Sequence, residues 1–214
     1  MIALIALVAA CGGGSGILPD GKSSPYSSAK VGDTIQFGGY DWRVLYIQDG
    51  KALILSDKIL TKSYGDRSST WEKSRIRQYL NDSFYENTFT ADEKEWIVES
   101  RIVNNANQWY NTIGGIDTVD KVFLLSLEEV VKYFGDSGGL ANIPRSTFYI
   151  NDQYNSARIT TDKDTGSALS WWLRSPGDSY RFAAYVGSDG RVYVNGVDLD
   201  YGNVGVRPAL WLKL

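Results

Sequence analysis

The sequence predicts an α+β domain, and three observations predict it. Strand-type alternation opens the globular part, capping boxes mark helices in the middle, and short strands punctuated by Gly close it. With 214 residues, 43% of them hydrophobic, the chain has enough apolar side chain for one sizeable core.

The domain spans Val31 to Leu214. Thr34-Ile35-Gln36-Phe37 alternates as a half-buried strand, Trp42 to Ile47 is a second strand and Ala52 to Leu55 a third. Gly38-Gly39 and Asp49-Gly50 supply the turns, and Asp-Gly is a strong hairpin signal. Thr70 precedes Trp71, Ile76, Tyr79 and Leu80, a spacing that predicts a helix with an apolar stripe. Thr90-Ala91-Asp92-Glu93 has capping-box spacing and opens a second helix through Trp96 and Ile97. "KVFLLS" (Lys121 to Ser126) reads as a buried strand. Ser126-Leu127-Glu128-Glu129 is another capping box, starting a helix through Val130, Val131 and Phe134. Residues 135 to 170 read as mostly irregular, with "SGG" and "DKDTGS" as loop signals.

Ahead of the domain, "MIALIALVAAC" is too short to span a bilayer and fits a signal h-region. Val8-Ala9-Ala10-Cys11 resembles a bacterial lipobox, which implies a lipid on Cys11, the only cysteine. The "GGGSG" that follows is a flexible tether, and residues 12 to 30 read as linker. The expected location is therefore extracytoplasmic, lipid-anchored at the cell surface.

Composition excludes several functions. A net charge of −3 with no run of Lys and Arg argues against nucleic acid. Histidine is absent, which removes His-based general bases, His-containing triads and His-ligated metals. Glu128 and Glu129 are accounted for by capping and the helix dipole. Asp162, Asp164, Asp198 and Asp200 lack the spacing of a calcium loop and read as solvated carboxylates. "GGIDTVD" and "DSGGL" are Gly-bearing loops without a phosphate-cradling pattern. No nucleophile has an activating partner, so no catalytic residue, metal or cofactor is predicted.

The aromatic content, with 14 Tyr and 7 Trp, concentrates interest on the C-terminal stretch. Trp171-Trp172-Leu173-Arg174 and Gly205 to Leu210 read as core strands whose arginines pair with carboxylates. Between them, Ala183, Ala184, Val186, Asp189, Gly190, Val192, Gly196, Val197 and, at the edge of the closing block, Gly205 are small, apolar or turn residues, as a scaffold requires. Interspersed stand Asp178, Ser179, Tyr180, Arg181, Phe182, Tyr185, Ser188, Arg191, Tyr193, Asn195, Asp198, Asp200, Tyr201 and Asn203. Period-2 alternation around Val192 and Val194 puts the second set on one outward face. Tyr, Ser, Asn, Asp and Arg make the composition of a paratope: rigid contact area with adaptable hydrogen bonds. These residues are the candidate ligand contacts, with Tyr180, Phe182, Tyr185, Tyr193 and Tyr201 as anchors and Arg181, Arg191 and the acids setting specificity. Trp171, Trp172, Arg174, Arg207 and Trp211 are expected to hold the platform rigid.

"FGGYDWRVL", "TWEKSRIRQYLNDSF", "FTADEKEWI", "TVDKVFLLSLEEVVKYF", "WWLRSPG" and "VGVRPALWL", in that order, resemble the landmarks of a bacterial domain-of-unknown-function family. The resemblance implies a C-type-lectin-like fold of the formylglycine-generating-enzyme type. It also implies kinship with variable proteins of diversity-generating retroelements, in which the stretch between the last two landmarks is rewritten by adenine-directed mutagenesis. Asn codons ending in C, mutated at their first two bases, never encode Lys, Glu, Gln, Met or Trp. None of these five occurs between Asp178 and Asn203.

The expectation is a surface-displayed binder of a protein or surface glycan, needing no calcium and touching the membrane through its lipid alone. One alternative is a structural or sensory envelope module using the same Tyr-rich face for a fixed protein contact. A formylglycine-generating-type oxidase is disfavoured, because a chain whose only Cys is lipidated cannot build the cysteine-bound copper site those enzymes use.

Overall fold

A computed structural model describes residues 22–62, 68–143 and 146–214. Cys11 and the signal and tether segments lie outside the described residues. Of the segment read as linker, Ser24 is buried and donates from its hydroxyl to the Lys213 carbonyl at 2.9 Å, while Tyr26 packs edge-on against Phe37. That part of the chain lies against the domain.

Strands β1 (Thr34–Phe37), β2 (Tyr40–Gln48) and β3 (Lys51–Ser56) form an antiparallel meander where the alternation predicts it. Asp49 and Gly50 turn the second hairpin at positive φ, 50° and 69°, as a primed turn requires. After β4 (Thr61–Lys62), the expected single helix is broken in two. Trp71–Lys73 makes one 3-10 turn, and α1 (Arg75–Tyr79) begins afresh with Ser74 as its cap, accepting from the Arg77 N–H. Thr70 makes no cap. The break has a tertiary cause: it lets the Trp71 indole donate to the buried Asp120 carboxylate at 2.7 Å, beside Arg77 and Thr118. A π turn (Leu80–Phe84), α2 (Tyr85–Thr88) and α3 (Ala91–Trp96) follow, the last with its capping box complete.

Next come β5 (Ile97–Val98), the small β6 (Ser100–Ile102) and β7 (Thr118–Asp120) pair, and α4 (Leu127–Phe134) with the second capping box. "KVFLLS" is buried as expected, yet it is not a strand; only Phe123 bridges to Ala209. Its backbone is satisfied partly by single bonds to strands, Phe123 exchanging two with Ala209 and the Leu125 carbonyl accepting from the Arg174 N–H, and partly by side chains. Asn81 accepts from the N–H groups of Lys121 and Val122 and donates to the Val122 carbonyl, and Arg174 donates to the Leu124 carbonyl. The region read as irregular holds two short elements, β8 (Tyr149–Ile150) and α5 (Asn155–Arg158). Strands β9 (Ser170–Pro176), β10 (Phe182–Val186), β11 (Val192–Asp198), β12 (Val204–Val206) and β13 (Ala209–Lys213) complete the α+β domain.

Two sheets share the core. One runs β1-β2-β3-β13-β5, wholly antiparallel; the other runs β4-β12-β9-β10-β11-β8, parallel only between β12 and β9. The closing apolar block is therefore two strands in different sheets, with Arg207-Pro208 as the crossing. Arg207 is buried there, donating to the carbonyls of Ser56 and Asp57 and lying over Trp171 at 5.0 Å. The expected carboxylate pairing is thus replaced by backbone acceptors. Burial lowers its proton affinity to about 9, so it remains a cation at neutral pH. Arg174 does find a carboxylate, Glu129, which it meets with two nitrogens. Glu129 therefore serves its helix cap and this pair together.

Candidate functional site

The β10–β11 hairpin displays the candidate residues, and period 2 sorts them. Of the predicted scaffold, Ala183, Ala184, Val186, Gly190, Val192, Gly196 and Gly205 are buried, Val197 is half-buried and the turn residue Asp189 is exposed. Val194 and Leu199 are buried as well, while every predicted contact residue from Asp178 to Asn203 is exposed or half-buried. The ladder is interrupted where the register slips between Ala183 and Tyr185. Gly196 makes that slip possible. Its φ is +75°, and a Cβ there would strike the Ala183 carbonyl.

The hairpin spreads the predicted residues from its open end to its turn. At the open end lie Asp178, Ser179, Tyr180, Arg181, Asp200, Tyr201 and Asn203. Tyr180 is 75% and Tyr201 51% exposed. Phe182 and Asp198 pair across the base of the hairpin, and Arg181 reaches Asp198 at 3.3 Å. That ion pair is solvent-exposed and contributes little. Asp198 also accepts from the Asp200 N–H, so part of its role is to shape the turn. Asn195 is less available than its position in the alternation suggests, because its Oδ1 is buried.

At the turn end, Tyr185, Arg191 and Tyr193 form a continuous aromatic surface with two residues that sequence reasoning missed, Phe148 and Tyr149. Registered pairs Trp172–Tyr185, Tyr185–Tyr193 and Tyr193–Tyr149 place one ring on each of β9, β10, β11 and β8. Ring centroids are 6.4, 4.6 and 5.4 Å apart along this row, and Phe148 packs beside it at 5.3 Å from Tyr149. The row grades from Trp172, 1% exposed, to Phe148, 48% exposed. Arg191 stands over the Tyr149 ring at 5.0 Å and reaches Asp189 at 3.5 Å, with Ser188 beside it in the turn. Burial, then the neighbouring Tyr193, Asp189 and Tyr201, push the Tyr185 phenol up to about 12, so it is a neutral donor at physiological pH. Beyond Tyr149 the surface falls into an open cleft of about 310 Å³, whose lining includes Trp109, Ser137, Asn142, Thr147 and Asn151.

Asn107 fastens this assembly from outside the hairpin. Its amide N–H₂ donates to the carbonyls of Pro176, Gly177 and Val194, and its Oδ1 accepts from the Trp109 N–H. Tyr110, on the same loop, is brought near Asp178, whose charge joins burial in raising the Tyr110 phenol. The platform residues Trp171, Trp172, Arg174 and Arg207 are buried, and Trp211 is half-buried. Among the acids weighed for a metal, Asp162 Oδ1 accepts from the N–H groups of Asp164 and Thr165, an Asx-turn arrangement. Among the described residues, no group of acidic or Cys side chains has a metal-holding arrangement.

The model of a family described as a domain of unknown function (DUF6273) matches residues 49–214. The chain belongs to this family. The DUF6273 match starts in the β2–β3 turn and takes in β3, all of the six-stranded sheet and the whole of the candidate face; β1 and β2 precede it. No curated protein and no solved structure matches this DUF6273 chain.

Proposed function

We propose that this domain is a C-type-lectin-like binder, displayed at the bacterial surface by a lipid on Cys11, which recognises a protein or surface glycan without chemistry. We further infer that residues 178 to 203 are a retroelement-diversified surface. One observation carries the binding reading: the predicted contacts are all solvent-accessible, most of the scaffold positions between them are buried, and Tyr185 and Tyr193 join Tyr149 and Phe148 in one aromatic surface. Exposed aromatics gathered this way mark recognition surfaces, where Tyr and Arg contribute most of the binding energy. The diversification reading rests on the absence of Lys, Glu, Gln, Met and Trp from the window and on the ordered family landmarks.

Two measurements test the two halves. A screen of the purified domain against surface proteins and glycans should yield a ligand whose binding falls on Tyr193→Ala and Arg191→Ala; a ligand insensitive to both sinks the assigned face. Deep sequencing of the locus across a bacterial population should find variation at the accessible positions and none at the buried ones. Fixed codons, with no reverse transcriptase or template repeat nearby, would leave a constant envelope module instead.

A further inference from the structure

Beneath the open end of the hairpin lies a small cavity of about 20 Å³, walled by Ser69, Trp71, Trp172, Arg174, Ala183 and Leu199. Three of its wall residues each hold a buried polar atom without a partner: Ser69 Oγ, Trp172 Nε1 and Arg174 Nε. Their side chains are more than nine-tenths enclosed, the residues being 6%, 1% and 7% exposed. Such groups are rare in native proteins because each costs about 1–3 kcal/mol if left unmet. Among the described residues, Trp172 is also the exception among tryptophans whose indole nitrogen is buried. The indoles of Trp42, Trp71, Trp109 and Trp171 donate, respectively, to the Phe37 carbonyl, the Asp120 carboxylate and the carbonyls of Leu140 and Arg158.

The chemistry of the three atoms defines the occupant. An indole N–H and a guanidinium Nε–H only donate, so the occupant must accept twice; the serine hydroxyl can donate or accept. The charge on Arg174 is already met by the two Glu129 oxygens, which favours a neutral acceptor over an anion. Arg174 also borders a second gap beside Asn104, but that gap has no room for a water molecule. The first cavity does, since a single water needs roughly 10–15 Å³ by the same measure.

We propose that this cavity is a binding site for one internal water, accepting from Trp172 Nε1 and Arg174 Nε and donating to Ser69 Oγ. The water joins the Ser69 loop to β9. Because the Ser69 N–H donates to the Tyr180 carbonyl, the joint extends to the base of the candidate face. Ala183 on β10 and Leu199, directly after β11, line the cavity on the side of the hairpin.

Solution NMR and crystallography test this on the whole domain. The Trp172 indole proton should show a cross-peak to water of the sign given by long-lived internal water, assigned by its loss in Trp172→Phe. Should that variant not fold, Ser69→Ala serves, since it removes one partner and should weaken the cross-peak. A high-resolution crystal structure should place a water within hydrogen-bond distance of Trp172 Nε1. An anomalous bromide peak at that position, a side chain of this protein filling it, or an indole proton with no water cross-peak would each overturn the proposal.

Discussion

Tyr185 and Tyr193 face each other across β10 and β11 with their rings 4.6 Å apart and 2° from parallel. Offset stacks of this kind add about 0.5–1.5 kcal/mol beyond the area they bury. A double-mutant cycle with Tyr185→Ala and Tyr193→Ala should therefore return a coupling of about 1 kcal/mol in urea unfolding. In a binding assay, Tyr193→Ala should cost about 30-fold, equivalent to a 2 kcal/mol hot spot, while Tyr193→Phe keeps most of the affinity. Equal losses for Phe and Ala would point to the hydroxyl rather than the stack.

Alkaline pH should act most strongly through two tyrosines. Burial comes first in raising both Tyr185 and Tyr133 to about 12, followed by neighbouring Tyr193 and Asp189 at the former and by Glu129 at the latter. A phenol raised in the folded state contributes stability that is complete below its unfolded value near 10 and is lost as pH climbs from there toward 12. Absorbance at the tyrosinate band should show two late-titrating phenols, and Tyr185→Phe should remove one of them. Two phenols titrating near 10 in the intact fold would contradict the burial.

Arg174→Met should be among the most damaging single changes. It leaves Glu129 without its cation and the carbonyls of Leu124 and Val103 without donors. Breaking a buried pair from one side costs about 3–5 kcal/mol, readable as a lower urea midpoint at unchanged slope. A midpoint within experimental error of the parent would show that the pair carries no stability.

Gly196→Ala should destabilise by about 2 kcal/mol or more, since it combines a left-handed backbone with a Cβ directed at the Ala183 carbonyl. Gly202 has open space around it, so Gly202→Ala is the internal control and should be near neutral. Similar midpoints for the two variants would remove Gly196 from its role in the register slip.

What the sequence disclosed follows a physical divide. Capping boxes at Thr90 and Ser126 and the hairpin at Asp49-Gly50 are local, so a few residues suffice to specify them. The in-and-out sorting of the hairpin was legible for the same reason, because period 2 belongs to the strand itself. Phe148 and Tyr149 were not legible: Tyr149 belongs to a two-residue strand, Phe148 directly precedes it, and only long-range pairing brings them beside Tyr193. "KVFLLS" misled because Asn81 and Arg174, far away in sequence, take the backbone bonds of Lys121, Val122 and Leu124, leaving strands only isolated contacts at Phe123 and Leu125. The split at Arg207-Pro208 was hidden because both halves are equally apolar, and only the destination sheet differs.

Asn107 has a consequence for how this surface tolerates change. All three of its donated bonds end on carbonyl oxygens of Pro176, Gly177 and Val194, and none ends on a side chain of the hairpin. Carbonyls are the one feature that every amino acid shares, so the clamp is blind to which residues the hairpin carries. Tyr could become Ser, or Asp become Asn, without loosening a single one of those bonds. The hairpin is held by what cannot mutate, which leaves what can mutate free for recognition.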